Sequence, residues 1–210
     1  MRILVTAFEP FNGGTVNPSQ MILEKLEAPQ GVELVKKLLP VEFEKTTWLL
    51  KELLQEYKPD VVISLGQAGN RPEICVERVA INLKNVRSSN GLKEIADNAG
   101  DKPMDEPVVK NAPTAYFSTL PVWEFVEAIQ AIGIPSAVSY SAGTYVCNHV
   151  MYTVLHEATC HYPNMKAGFI HVPFLPEQME GRTQGFCMEF SDMLKGLQEV
   201  INYISINYKS

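Results

Sequence analysis

The chain has 210 residues, 46% of them hydrophobic and 20% charged, which is ordinary for a globular protein and enough for one domain with a continuous core. A formal net charge of -6, with no dense Lys/Arg stripe, disfavours a protein that tracks nucleic-acid phosphates. The apolar stretch from Met1 to Phe8 is too short for a signal h-region or a membrane span, so a cytoplasmic protein with no membrane partner is expected.

Arg2–Ala7 reads as a short buried strand, followed by a turn-rich loop from Phe8 to Asn17 that holds Pro10, Asn12, Gly13 and Gly14. Asn17-Pro18-Ser19 has the form of a helix start, with Asn17 as N-cap and Pro18 in the first turn. Val32–Leu39 reads as a second strand, and Val41–Tyr57 as a helix with Trp48, Leu49, Leu50, Leu53 and Leu54 at helical spacing. Val61–Gly66 is a continuous apolar run, as a strand covered on both faces requires. Ile74–Asn82 reads as a further strand. Residues 83–114 are rich in Asn, Gly, Asp and Pro without clear periodicity, and a connection this long is usually functional or mobile. Pro121–Ile132 reads as helix, Ser136–Tyr140 as strand and Tyr145–Ala158 as helix; Ala167–Val172 reads as strand and Met188–Asn207 as the last helix. Strands alternating with helices predict the α/β class, a three-layer α/β/α sandwich around a mostly parallel mixed sheet.

Four cysteines occur, Cys75, Cys147, Cys160 and Cys187, with no CxxC pair, so reduced thiols rather than disulfides are expected. Cys147 stands apart from the rest. It follows Ser141-Ala142-Gly143-Thr144-Tyr145-Val146, where a small-residue loop becomes a helix. A thiol in a first helical turn feels the positive end of the macrodipole and unpaired backbone N–H groups. Both favour the attacking thiolate, and the N–H groups are placed to hold an oxyanion afterwards. The other three thiols read as packing positions.

A cysteine nucleophile needs a base, and the base needs an orienting group. His149 lies two residues after Cys147 and points away from it on a helix, while His156 is too far along the same helix. His161 sits in a polar connector and reads as solvated. His171 closes the strand Gly168-Phe169-Ile170-His171-Val172 before Pro173, at the carboxyl end where α/β sites form. It is either a base or a core histidine bonded to a carbonyl. Glu77 lies on an apolar face, where period-two alternation groups it with Cys75, Val79 and Ile81. A buried carboxylate requires a partner, either a catalytic imidazole or Arg78 or Arg87 in a structural ion pair. No zinc spacing is present, and Gly66-Gln67-Ala68-Gly69-Asn70-Arg71 is neither a Walker loop nor GxGxxG. That segment reads as a tight turn bringing backbone near the strand ends.

Five blocks in order resemble the pyroglutamyl peptidase I family, the pyrrolidone-carboxylate peptidases. They are Leu4-Val5-Thr6-Ala7-Phe8-Glu9-Pro10-Phe11 with Asn17-Pro18-Ser19, then Val76–Asn82, Ala112–Pro121, Ser141–Asn148 and Gly168–Pro173. The resemblance covers nearly the whole chain and implies a Glu–Cys–His triad at Glu77, Cys147 and His171. It further implies that Phe8 and Phe11 line a pyrrolidone pocket, that backbone near Gln67 reads the lactam, and that Arg87 lies near the oxyanion site. Ala7 and Asn12 depart from glycines found in many members, and residues 88–108 look longer than in some relatives.

The reaction so implied is hydrolysis of the bond after an N-terminal pyroglutamyl residue through a thioester, with no metal or organic cofactor. The partners are pyroglutamylated peptides, and the resemblance implies a homo-oligomer, dimer or tetramer. Two rivals stay open on the residues alone. One is a phosphorylase-like hydrolase on a similar scaffold, for which phosphate- and ribose-binding groups are missing. The other is a binding protein that has lost turnover, against which the three intact residues argue.

Overall fold

In chain order the strands are β1 (Arg2–Phe8), β2 (Glu33–Leu39), β3 (Val61–Gln67), β4 (Ile74–Glu77), β5 (Val79–Ile81), β6 (Ala115–Phe117), β7 (Ser136–Ser139) and β8 (Lys166–Val172). The helices are α1 (Pro18–Lys25), α2 (Phe43–Tyr57), α3 (Val122–Ala131), α4 (Val146–Cys160) and α5 (Phe190–Asn207). The structure, a computed structural model, describes residues 1–87 and 94–208. Six strands make one sheet in the order β2-β1-β3-β8-β4-β7, and β5 pairs with β6 in a separate ladder. Within the large sheet every neighbouring pair is parallel except β4 with β8.

Alternation along the strands divides the core in two. One set, including Ile3, Val5, Ile63, Leu65, Val76 and Ile170, packs with apolar residues of α1, α3 and α5. The other, including Leu4, Val62 and Phe169, packs with apolar residues of α2 and α4. Helices therefore cover both faces of a mixed, mostly parallel sheet, the three-layer arrangement expected from the sequence. At the start of α1, Asn17 Oδ1 accepts from the Ser19 N–H at 3.0 Å and Pro18 occupies the first turn. This is the cap the sequence called for.

Two expectations need correction. The single strand read over Ile74–Asn82 breaks at Arg78, so Val79 and Ile81 belong to a different ladder from Cys75 and Glu77. Arg78 donates its N–H to the Ser139 carbonyl at 2.7 Å and accepts from the Ser118 N–H at 2.9 Å, which turns the chain from the large sheet into the β5–β6 ladder. Nor are all the remaining thiols packing positions. Cys75 is buried, but Cys160 closes α4 and is exposed, as is Cys187.

The described part of the long connection is fastened rather than loose. Asp97 accepts from the Phe43 N–H at the start of α2 and from the N–H groups of Ala99 and Asp101. Asn98 donates to Glu9 Oε1 and to the Pro10 carbonyl, holding the loop that carries Phe11. The expected lengthening at 88–108 lies partly outside the described residues.

Candidate active site

Polar residues gather at the carboxyl end of the sheet, on the face covered by α4. In register, His171 of β8 stands beside Gly66 of β3 on one side and Cys75 of β4 on the other. Because β4 runs antiparallel to β8, Glu77 falls level with Phe169, one pleat below His171. The carboxylate thus approaches the imidazole from beneath: Glu77 Oε1 lies 2.7 Å from His171 Nδ1. Both groups are buried, Glu77 at 0% and His171 at 4% exposure. Glu77 Oε2 has no hydrogen-bond partner among the described residues. The structure therefore pairs Glu77 with the imidazole, while Arg78 donates to the Ser118 carbonyl and Arg87 pairs with Glu94.

Cys147 is the second residue of α4. Tyr145 is the N-cap residue and makes no side-chain cap bond. The N–H groups of the first turn have no intrahelical acceptor and lie beside the sulfur. Gly66 permits the sulfur to come down onto the sheet, since a Cβ there would stand 3.1 Å from Cys147 Sγ and 2.7 Å from Phe169 Cζ. Asn148, the next residue, accepts from the Ile81 N–H and donates to the Ile81 and Leu83 carbonyls, pinning the start of α4 to β5.

Cys147 and His171 line one cavity, and the charge of Cys147 bears on the imidazole. Burial opposes a charged ring, but Cys147 and then Glu77 favour it, and the imidazole is pushed up to about 9. The His171 ring therefore carries its proton at neutral pH. His149 behaves oppositely. Burial, reinforced by Lys84, pushes it down to about 4, and its Nε2 lies 2.5 Å from Thr47 Oγ1. It is a neutral core histidine turned away from the sulfur, as its spacing implied. His161 has an exposed side chain, and His156 meets Tyr116 Oη at 3.0 Å.

Two cavities meet at Cys147. One, of about 390 Å³, is lined by Cys147, His171, the Gln67–Arg71 turn and the Ser141–Gly143 loop. The other, of about 10 Å³, is a narrow slot among Phe8, Phe11, Val41, Tyr145 and Cys147, with Gln67 at its side. Phe8, Phe11 and Gln67, which the resemblance assigns to a pyrrolidone pocket, line this slot. Asn12 adopts φ 51°, so the residue found in place of glycine takes the left-handed conformation itself. Arg87 differs: it lines neither cavity and lies 3.3 Å from Glu94.

Sequence reasoning missed three contributors. Tyr145 lines both cavities, and its place directly before the helix of Cys147 was the available signal. Arg71 enters the larger cavity with the turn already noted. Gln178, in a short 3-10 turn (Pro176–Met179), donates to Gln67 Oε1 at 3.0 Å and had no local signal. Among the described residues, no cluster of three His, Cys, Asp or Glu side chains is arranged to hold a metal, and no helix is long and apolar enough to cross a membrane.

Comparison with known proteins agrees with this geometry. The family model described as "Pyroglutamyl peptidase" matches residues 1–207. Pyrrolidone-carboxylate peptidase 1 of Caldanaerobacter subterraneus subsp. tengcongensis is 45% identical over 97% of this chain and 98% of its own length. The pyrrolidone-carboxylate peptidase of Finegoldia magna is 43% identical over 99% of this chain and 94% of its own. Among solved structures, pyroglutamyl peptidase I from Bacillus amyloliquefaciens superposes with a TM-score of 0.91 at 36% identity, covering 100% of this chain and 98% of that one. The chain is an enzyme of the pyroglutamyl peptidase family, the pyrrolidone-carboxylate peptidases.

Proposed function

We propose that this enzyme hydrolyses the peptide bond that follows an N-terminal pyroglutamyl residue, using Glu77, Cys147 and His171 as a catalytic triad in a single catalytic domain. The observation that carries the reading is the alignment of the three groups. Glu77 holds Nδ1 of His171 at 2.7 Å, and Cys147, in the first turn of α4, lines the same cavity as His171. A pyroglutamyl peptide has no free α-amine, because the side chain has cyclised onto it. Its neutral, flat ring calls for an apolar slot with a few backbone hydrogen bonds, and Phe8, Phe11 and the backbone near Gln67 supply that chemistry. The slot of about 10 Å³ is close to one water-sized sphere, so ring entry requires Phe11 and Tyr145 to part.

Cys147 Sγ, paired with imidazolium, attacks the pyroglutamyl carbonyl. The developing oxyanion is held by first-turn N–H groups of α4. His171 gives its Nε2 proton to the departing amine, and the thioester bond replaces the peptide bond. Now neutral, His171 takes a proton from water as the water oxygen bonds to the thioester carbon; the C–S bond then breaks, releasing pyroglutamate and leaving the Cys147 thiolate beside the imidazolium. Glu77 fixes the tautomer and stabilises the cation throughout. The enzyme works on this reading as a cytoplasmic homo-oligomer, and sedimentation as monomer alone would remove the oligomeric part.

The test is release of aminocoumarin from pyroglutamyl-aminocoumarin under reducing conditions. Turnover by the wild type and none by a folded Cys147→Ala variant supports the mechanism. Equal turnover by both overturns it. Because Cys160 and Cys187 are also exposed, alkylation of the thiol has to be mapped by peptide rather than counted.

A further inference from the structure

The larger cavity takes in Cys147, His171 and Arg71, and Arg71 does not line the narrow slot. If the pyroglutamyl ring fills the slot, this is where the departing peptide lies. Among the described residues, Arg71 is the only Lys, Arg, Asp or Glu that lines the cavity; the nearby lining is glycine, alanine, serine and asparagine. The guanidinium is also held in place. The Arg71 N–H closes a turn on the Ala68 carbonyl at 3.0 Å, and Nη2 donates across the cleft to the Ser141 carbonyl at 2.8 Å. That bond and the contact with the Cys75 thiol use part of a set of five donors. Glu73 and Glu77 share the surroundings of Cys75 with Arg71, but no carboxylate lies within ion-pair distance of the guanidinium among the described residues. A second guanidinium adds to the field. Arg182 stacks 4.7 Å over the Phe174 ring, and that ring fills the space beside Gly69 that a Cβ would need.

We propose that Arg71 forms a carboxylate-recognising subsite for the leaving peptide, so that the enzyme prefers substrates with a negative charge on the residue after pyroglutamate. The inference rests on the catalytic reading above. The carboxylate has two possible sources: the side chain of Asp or Glu at that position, or the free α-carboxylate of a pyroglutamyl dipeptide. A guanidinium already oriented by one hydrogen bond has donors left to meet either. A Lys or Arg at the same position meets like charge instead.

The experiment compares kcat/KM for pyroglutamyl-Glu-amide, pyroglutamyl-Gln-amide, pyroglutamyl-Lys-amide and free pyroglutamyl-Gln, with wild type, Arg71→Gln and Arg71→Lys. Ratios are taken within each variant, so differences in folded fraction cancel. The wild type should favour Glu over its isostere Gln by about five-fold at low salt, as expected for one partly exposed charge pair, and less at high salt. The preference should fall to about one in Arg71→Gln and survive in part in Arg71→Lys, which keeps the charge without the fork. An Arg71-dependent preference for free pyroglutamyl-Gln over its amide, without a Glu preference, assigns the subsite to the α-carboxylate. Equal rates for Glu and Gln together with no preference for the free dipeptide overturn the proposal, as does a preference unchanged in Arg71→Gln. No turnover of any of these or of pyroglutamyl-aminocoumarin removes the catalytic reading and this one with it.

Discussion

The Cys147 sulfur and the Phe169 ring both occupy space that a side chain on Gly66 would claim. A Cβ at Gly66 would lie 3.1 Å from the sulfur and 2.7 Å from Phe169 Cζ. Phe169 is fully buried and its ring packs 4.7 Å from that of His171, so it has no free direction in which to yield. The bare backbone at Gly66 is therefore part of how the thiol reaches the imidazole. Gly66→Ala should destabilise the fold by about 1–3 kcal/mol, the usual cost of forcing extra volume into a packed core. Turnover per folded molecule should fall as well, because the cheapest relief moves the sulfur. Urea unfolding combined with active-site titration checks both, and a fully active, equally stable variant would mean the packing is looser than these distances imply.

The surroundings of His171, Cys147 first and then Glu77 at 2.7 Å, have a pH signature. The folded imidazole is pushed up to about 9 from an ordinary value of 6.5. Its contribution to stability is therefore complete below about pH 6.5 and is lost as pH rises through about 9. The alkaline limb of turnover should fall in the same region. Glu77→Gln keeps the shape and removes the charge, so that limb should move to lower pH. The loss in kcat should be about 10²–10⁴-fold, as for loss of a group that supports acid–base catalysis. A pH–rate profile of Glu77→Gln with an unmoved alkaline limb would show that the carboxylate does not hold the proton on His171.

The two ends of this site differed in how legible they were in the sequence. Cys147 was marked by a helix start and His171 by a strand end, and both signals are local. Glu77 was marked only as a carboxylate on an apolar face. Its pairing with His171 depends on β4 running antiparallel to β8, and alternation reads the same in either direction. The break at Arg78 was hidden because residues 74–82 are mostly apolar and hold no Gly or Pro to mark it, while β6, three residues of Ala115–Phe117, is too short to show a period. Tyr145 and Arg71 carried only weak signals as site residues, for another reason. Their roles come from which loops meet above the sheet, and that depends on contacts far apart in sequence.

His149 predicts a loss of stability in acid. Burial holds the folded ring down at about 4, against 6.5 ordinarily, so between these values the unfolded chain binds a proton that the folded one refuses. Stability then falls as pH drops from about 6.5 and the full cost, about 3 kcal/mol for a shift of this size, is reached near pH 4. His149→Gln cannot take up that proton. It should be less stable at neutral pH, since it gives up edge-on packing against Phe43 and the bond to Thr47, but its stability should vary less across this window. Urea midpoints measured from pH 4 to pH 7 decide the matter, and parallel curves for variant and wild type would assign the acid loss to other groups.

Tyr145 connects the long connection to the narrow slot beside Cys147. Its hydroxyl donates to the Ala96 carbonyl at 2.9 Å, and its ring packs between Phe11 and Phe43 at 6.2 and 5.6 Å. Two residues after Ala96, Asn98 holds the Glu9–Pro10 loop that carries Phe11. Segment 96–98 is thus fastened at one end to the residue that caps α4 and at the other to a wall of the slot. Tyr145→Phe removes one hydrogen bond and keeps the ring, so KM should rise about five-fold, the equivalent of roughly 1 kcal/mol. With the triad untouched, kcat should stay within about two-fold. Asn98→Ala should act in the same way from the other end of the strap. The double variant should then cost less than the sum of the two, because each change frees the same segment. A fall in kcat with KM unchanged would instead place Tyr145 in the chemistry, and additive effects would mean that the two ends hold Phe11 independently.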